Sequence, residues 1–94
     1  MKIIDLKMIH KFARQHADAR PALERWVDDV TLAKWERPED IKATYATASF
    51  LSGNRIIFNI KGNRYRLFIH VQYRMGYVTV LNIGTHEEYE TWSL

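Results

Sequence analysis

The stretch Arg55-Ile56-Ile57-Phe58-Asn59-Ile60-Lys61-Gly62-Asn63-Arg64-Tyr65-Arg66-Leu67-Phe68-Ile69-His70 decides the fold. Both of its halves are rich in β-branched and aromatic residues, and Gly62-Asn63 between them reads as a two-residue hairpin turn. That turn pairs Lys61 with Arg64, Asn59 with Arg66, Phe58 with Leu67 and Arg55 with His70. Side chains alternate across a strand. One face therefore collects Ile56, Phe58, Ile60, Tyr65, Leu67, Ile69, Val71 and Tyr73. The other collects Arg55, Ile57, Asn59, Lys61, Arg64, Arg66, Phe68, His70 and Gln72. A slip of one residue would put every cation in the core, where unpaired charge is prohibitively costly, so the register is well specified.

Working outward, Tyr65 to Tyr73 is the second strand and Tyr77 to Ile83 a third, joined by a three-residue turn at Arg74-Met75-Gly76. That turn sets Phe68 opposite Asn82 and Arg66 opposite Gly84, and brings Thr85-His86 beside Arg66. Upstream the period changes to that of a helix. Leu6, Ile9, Phe12 and Ala13 form one apolar stripe, and Leu23, Trp26, Val27 and Val30 a second. Asp18 is placed to cap the second helix, with Pro21 close to its first turn. Pro38, followed by Glu39 and Asp40, starts a short third helix running to about Tyr45. Ala46 to Gly53 reads as a loop with Phe50 and Leu51 tucked into the core, and Met1 to Ile4 as a candidate edge strand. The expected architecture is α+β, with N-terminal helices packed on one face of a small antiparallel sheet, in a single domain spanning residues 1–94.

With 47% hydrophobic and 27% charged residues in 94, the chain has a globular balance rather than a disordered one. It has no cysteine, which excludes disulfides, thiolate nucleophiles and Cys-based zinc sites. No apolar run approaches a membrane span, and Met1-Lys2-Ile3-Ile4-Asp5 lacks the apolar region of a signal peptide. A cytoplasmic protein with no membrane partner is expected. The net charge is only +3, but from Ile41 to His86 there is no Asp or Glu, while Lys42, Arg55, Lys61, Arg64, Arg66 and Arg74 all fall there. A one-sign segment in a small fold implies an anionic partner.

On the polar sheet face, cations lie beside a flat ring and hydrogen-bonding side chains, the combination that single-stranded RNA requires. Arg55, Asn59, Lys61, Arg64, Phe68 and His70 are the candidate RNA-binding residues. The alternative is that the C-terminal tail covers Phe68 and Ile57 and the cations merely solubilise. No metal site is expected: His10 and His16 are six apart, roughly 240° around a helix, and no His-carboxylate pair on the strands has ligand spacing. Ser49, Ser52 and Ser93 lack a nucleophile-elbow context. In the tail, Thr85 can cap a helical turn with Glu88 completing a capping box, which projects His86 and Tyr89 on one side. A capped terminal turn with Tyr89 packed on the core explains the same spacing.

The run from Asn54 to Leu67 resembles the signature strand pair of the HigB family of toxins, which belong to the RelE-like group. Ile83-Gly84-Thr85-His86-Glu87-Glu88-Tyr89-Glu90 resembles that family's closing motif, Thr-His-x-x-Tyr-Asp, and Trp35 to Tyr45 is also similar. The final acid departs from the pattern, since Glu90 stands where Asp is common. The resemblance implies a RelE-like fold and a metal-free endoribonuclease, an mRNA interferase that inhibits translation by cutting mRNA, generally on the ribosome. It also implies a cognate antitoxin, usually of helix-turn-helix type, and no cofactor.

Metal-free RNA cleavage needs a base for the 2′-OH, an acid for the leaving 5′-oxygen and cations around the phosphorane. His86 is the first candidate for proton transfer, with Tyr89 assisting or orienting the nucleotide. Arg66, with Lys61 and Arg55, is the candidate for the phosphate. His70 is an alternative proton carrier and Phe68 a base-stacking ring. A second class of function fits the same residues: a non-catalytic RNA- or partner-binding module of this fold.

Overall fold

The alternation of apolar and polar residues through 55–72 builds the two central strands, and the remaining elements attach around them. The computed structural model describes residues 1–94. The elements are β1 (Lys2–Ile4), α1 (Leu6–Gln15), a 3-10 turn (Ala17–Ala19), α2 (Arg20–Leu32), α3 (Pro38–Thr44), β2 (Ser49–Leu51), β3 (Arg55–Ile60), β4 (Tyr65–Gln72), β5 (Tyr77–Thr85) and α4 (His86–Tyr89). They form an α+β fold whose five-stranded sheet runs β1-β5-β4-β3-β2, an arrangement compatible with a RelE-like fold. The sheet is mixed, because β1 pairs with β5 in parallel. No helix is long and apolar enough to cross a membrane.

The β3–β4 register is the one the alternation predicts, with Arg55 opposite His70, Asn59 opposite Arg66 and Phe58 opposite Leu67. The turn differs. Ile60 pairs with Tyr65, so Lys61–Arg64 is a four-residue loop, and its left-handed residues are Lys61 (φ 52) and Gly62 (φ 64). The β4–β5 register at the site is also as expected, with Phe68 opposite Asn82 and Arg66 opposite Gly84, but by a different route. Gln72 pairs with Tyr77, so the connection is longer by one residue than the expected Arg74–Gly76 turn. An irregularity between Phe68 and Ile69 then leaves Leu81 unpaired and restores the frame.

Three expectations are corrected here. Ser49–Leu51, read as part of a loop, is an edge strand paired with Arg55–Ile57. Phe50 is not in the core: it lies opposite Ile56 at the sheet edge, 36% exposed, with the Lys42 ammonium 5.3 Å from its ring centroid. Ala48 is buried instead. Asp18 does not cap α2, whose N-cap is Ala19; its carboxylate is taken by the β3–β4 loop, described below.

One cluster of 19 buried residues joins both helical stripes to the inner sheet face. Phe58 is its centre. The ring is fully buried and meets Trp26 at 5.5 Å, Trp35 at 6.4 Å and Tyr45 at 5.2 Å between centroids. Edge-on and stacked aromatic pairs of this kind add to the area they bury. Tyr45 closes the cluster by donating its hydroxyl to Asp29 Oδ2 at 2.5 Å. Burial, then the Asp29 bond, hold that phenol protonated well above its ordinary range.

Candidate functional site

The site begins where β5 ends. Thr85 caps α4: its Oγ1 accepts from the Glu88 amide at 3.1 Å, and its own amide donates to Glu88 Oε1 at 2.8 Å. The capping box thus forms at the spacing the sequence shows. The His86 amide donates to the Arg64 carbonyl at 2.9 Å, pinning this turn to the β3–β4 loop. Gly84 lets the turn lie close, since a Cβ there would fall 3.0 Å from Trp92 Cζ2 and 3.2 Å from Glu88.

Arg66, Tyr89 and His86 come together at this end of the sheet. The Arg66 guanidinium lies 5.1 Å from the Tyr89 ring centroid, and the Tyr89 and His86 rings are 6.3 Å apart. His86 Nδ1 is 3.4 Å from Glu90 Oε1, an ion pair when the imidazole is protonated. A cavity of about 520 Å³ borders His86 and is lined by Asn63, Arg64, Tyr65, Thr85 and Glu87. Arg66 is the one charged residue among those buried, 8% exposed. No carboxylate pairs with it. Its Nη1 donates to the Asn63 carbonyl at 2.9 Å and the Tyr65 carbonyl at 3.2 Å. Those bonds use both Nη1 hydrogens and leave Nε and Nη2 free, the guanidinium edge that grips two phosphate oxygens at once. A buried cation without a carboxylate is poorly compensated until an anion arrives.

The expected shared face is smaller than the sequence suggests. Arg55, Asn59, Arg66 and His70 do lie on strands with outward register. Lys61 and Arg64 do not join them, because strand alternation stops at the loop. Both turn to Asp18, Arg64 Nη1 at 2.7 Å and Lys61 Nζ at 3.7 Å from its Oδ2. The expected exposure of Phe68 is also corrected. Its ring is 9% exposed, covered by Trp92 at 6.2 Å and by the Arg55 guanidinium at 5.9 Å, so it has no free face for a base. Ile57 is buried as well. A covering tail, the alternative to an RNA platform, is therefore present at Phe68. Arg55 also donates to the Ser52 carbonyl at 2.8 Å and Asn59 to the Thr47 carbonyl at 3.4 Å. His70 sits four residues along β4 from Arg66, roughly 13 Å at the strand rise, and so stands apart from His86.

Two residues of the site escape the sequence reading. Trp92 follows Tyr89 by three residues, a helical spacing that was the available signal. Asp18 holds the loop that carries Asn63 and Arg64, and its partners are 46 and 47 residues away in the chain. The Tyr65 hydroxyl donates to Asp18 Oδ1 at 2.5 Å. That bond first, then the Arg64 bond and the Lys61 and Arg64 charges, lower the Asp18 pKa below 3.8. A carboxyl with a depressed folded pKa stabilises fully above its unfolded value and loses that contribution as the pH falls through the folded one. Asp18→Asn should therefore melt below the wild type at neutral pH, with the gap closing as the pH falls below about 4. Melting curves from pH 7 to pH 2.5 test this, and a gap independent of pH contradicts it.

A sequence model described as HigB_toxin, RelE-like toxic component of a toxin-antitoxin system, matches residues 19–92. No curated protein matches the chain significantly. The matched span includes Asp18's loop partners, Arg66, the capped turn, His86, Tyr89 and Trp92.

Proposed function

The chain belongs to the HigB family of RelE-like toxins, and on that premise we propose that it is an mRNA interferase, a metal-free endoribonuclease that inhibits translation in the cytoplasm. Membership makes it the toxic component of a toxin–antitoxin system, with an antitoxin as partner. In the proposal that antitoxin is of helix-turn-helix type and the mRNA is cut on the ribosome.

The observation that carries the reading is Arg66: a buried guanidinium with no carboxylate, its Nε–Nη2 edge unspent, beside the Tyr89 ring, which in turn lies 6.3 Å from the His86 ring. Attraction between charges strengthens as water is excluded, so a phosphate at Arg66 is held more firmly than at an exposed cation. The RNA 2′-OH attacks that phosphate, the O2′–P bond forming as the P–O5′ bond breaks, which leaves a 2′,3′-cyclic phosphate and a 5′-hydroxyl. The 2′-OH gives up a proton and the 5′-oxygen gains one; His86 carries one of these transfers and water the other. With Glu90 at Nδ1, the other ring nitrogen, Nε2, is the one left to face the RNA. Tyr89, held against Arg66, orients the nucleotide. Arg66 stabilises the charge that builds on the phosphorane oxygens, as fixed donors do at developing oxyanions.

Affinity for single-stranded RNA tests the phosphate half of the proposal. With about four phosphates neutralised, log K falls against log salt with a slope of roughly −3. Arg66→Ala weakens binding and brings the slope closer to zero by roughly 0.7. Salt-independent binding, or no binding to RNA or ribosomes, contradicts the proposal.

A further inference from the structure

Trp92 has no part in the chemistry above, yet it occupies the centre of a continuous row. The order is Arg66, Tyr89, Trp92, Phe68, Arg55. Arg66 meets the Tyr89 ring at 5.1 Å, and Tyr89 meets Trp92 edge-on at 5.6 Å and 87°. Trp92 lies tilted 30° on Phe68 at 6.2 Å, and Arg55 meets Phe68 at 5.9 Å. Two cations thus bracket three rings. Phe68 is enclosed, but Trp92 keeps part of its surface in solvent. The indole packs on Phe68 on one side and meets Tyr89 edge-on, and the rest of its surface is open to solvent. Of the acids nearby, Glu88 is engaged at Thr85 and Glu90 lies against His86.

We propose that the solvent-open part of the Trp92 indole is a stacking platform for an unpaired nucleobase, one ring removed from the phosphate held at Arg66. The proposal deepens the RNA-cleaving reading and rests on it. Every nucleobase has a π-face, and proteins that hold single strands combine aromatic faces with cations along the backbone. The row supplies both, with the rings set between the two cations. Arg55 is engaged by Ser52 and the Leu94 carbonyl, so the free cation of the row is Arg66; an apolar peptide segment would gain nothing from it, whereas a nucleotide uses the ring for its base and Arg66 for its phosphate. Stacking is tolerant of base identity, so this platform contributes affinity and alignment rather than strict sequence choice.

The chain carries its own reporter. Trp26 is fully buried and Trp35 is 6% exposed, which leaves Trp92 as the tryptophan a ligand can touch. The probe is a short 2′-O-methylated oligoribonucleotide, which lacks the attacking hydroxyl and is not cleaved, beside an abasic oligomer of equal charge. Saturable quenching of tryptophan emission by the first and not by the second is expected. Trp92→Ala should weaken binding of the base-bearing oligomer by roughly tenfold and leave the abasic one unaffected, while Trp92→Phe retains most of the affinity. The phenylalanine variant keeps the test valid if alanine loosens the tail. RNA that binds and is cleaved without quenching, or that binds Trp92→Ala as tightly as wild type, overturns the platform and leaves the cleavage reading standing. No binding of either oligomer overturns both.

Discussion

His86→Gln lowers the single-turnover rate of mRNA cleavage on programmed ribosomes by about 10²-fold or more. Glutamine keeps a polar side chain of similar reach but cannot take up and release a proton near neutral pH. One positioned acid or base supplies typically about 10²–10⁴-fold. Arg66 and Tyr89 remain in place in this variant, so RNA binding persists while the rate falls. The side chain of His86 caps nothing: the turn is held by Thr85 and Glu88, and the link to the β3–β4 loop is through the His86 backbone amide. Folding therefore survives the change, and thermal unfolding in parallel verifies it. Unchanged cleavage by a folded His86→Gln protein removes His86 from the mechanism. A wild-type protein that binds RNA and antitoxin but never cleaves favours the non-catalytic module instead.

Phe58→Ala is the most damaging change to the fold. The ring is fully buried at the meeting point of Trp26, Trp35 and Tyr45, residues of α2, the following connection and the end of α3. Removing it leaves a cavity bounded by three large rings that cannot all move inward. Such truncations cost about 3–5 kcal/mol. A chain of 94 residues has about 5–14 kcal/mol in total. The melting temperature should fall by roughly 12 °C or more. Urea unfolding with an unchanged m-value measures the loss directly, and a loss under about 1 kcal/mol contradicts the place given to Phe58.

The two central strands are legible because every inward position, from Ile56 to Ile60 and from Tyr65 to Val71, is apolar, and a shifted register would bury arginine. The register between β4 and β5 was legible for a less secure reason. The connection exceeds the expected turn by one residue, and the extra residue at Leu81 compensates. An apolar residue inside an apolar strand gives no sign of a bulge. The edge strands β1 and β2 are three residues each and owe their conformation to their neighbours rather than to pattern. The capping box was readable because it is local, closing between Thr85 and Glu88. Asp18 reads as a cap for the same local reason, but its strongest partner is Tyr65, and pairing across that distance leaves no mark in the sequence. Alternation failed for Lys61 and Arg64 because it applies only while the chain stays extended. The burial of Phe68 is not legible in the sequence because the covering ring, Trp92, returns over it only after the turn at α4.

The chemistry of the cut ends tests the central claim most directly. Attack by the 2′-OH without a metal-bound water must leave a 2′,3′-cyclic phosphate, or the 3′-phosphate it opens to, on the upstream fragment and a 5′-hydroxyl on the downstream one. Expression of the wild-type toxin in bacteria, with mRNA ends mapped by ligations selective for each terminus, should show these ends within coding sequences, and His86→Gln should not produce them. Fragments ending in 3′-hydroxyl and 5′-phosphate, or no new ends at all, would contradict the account.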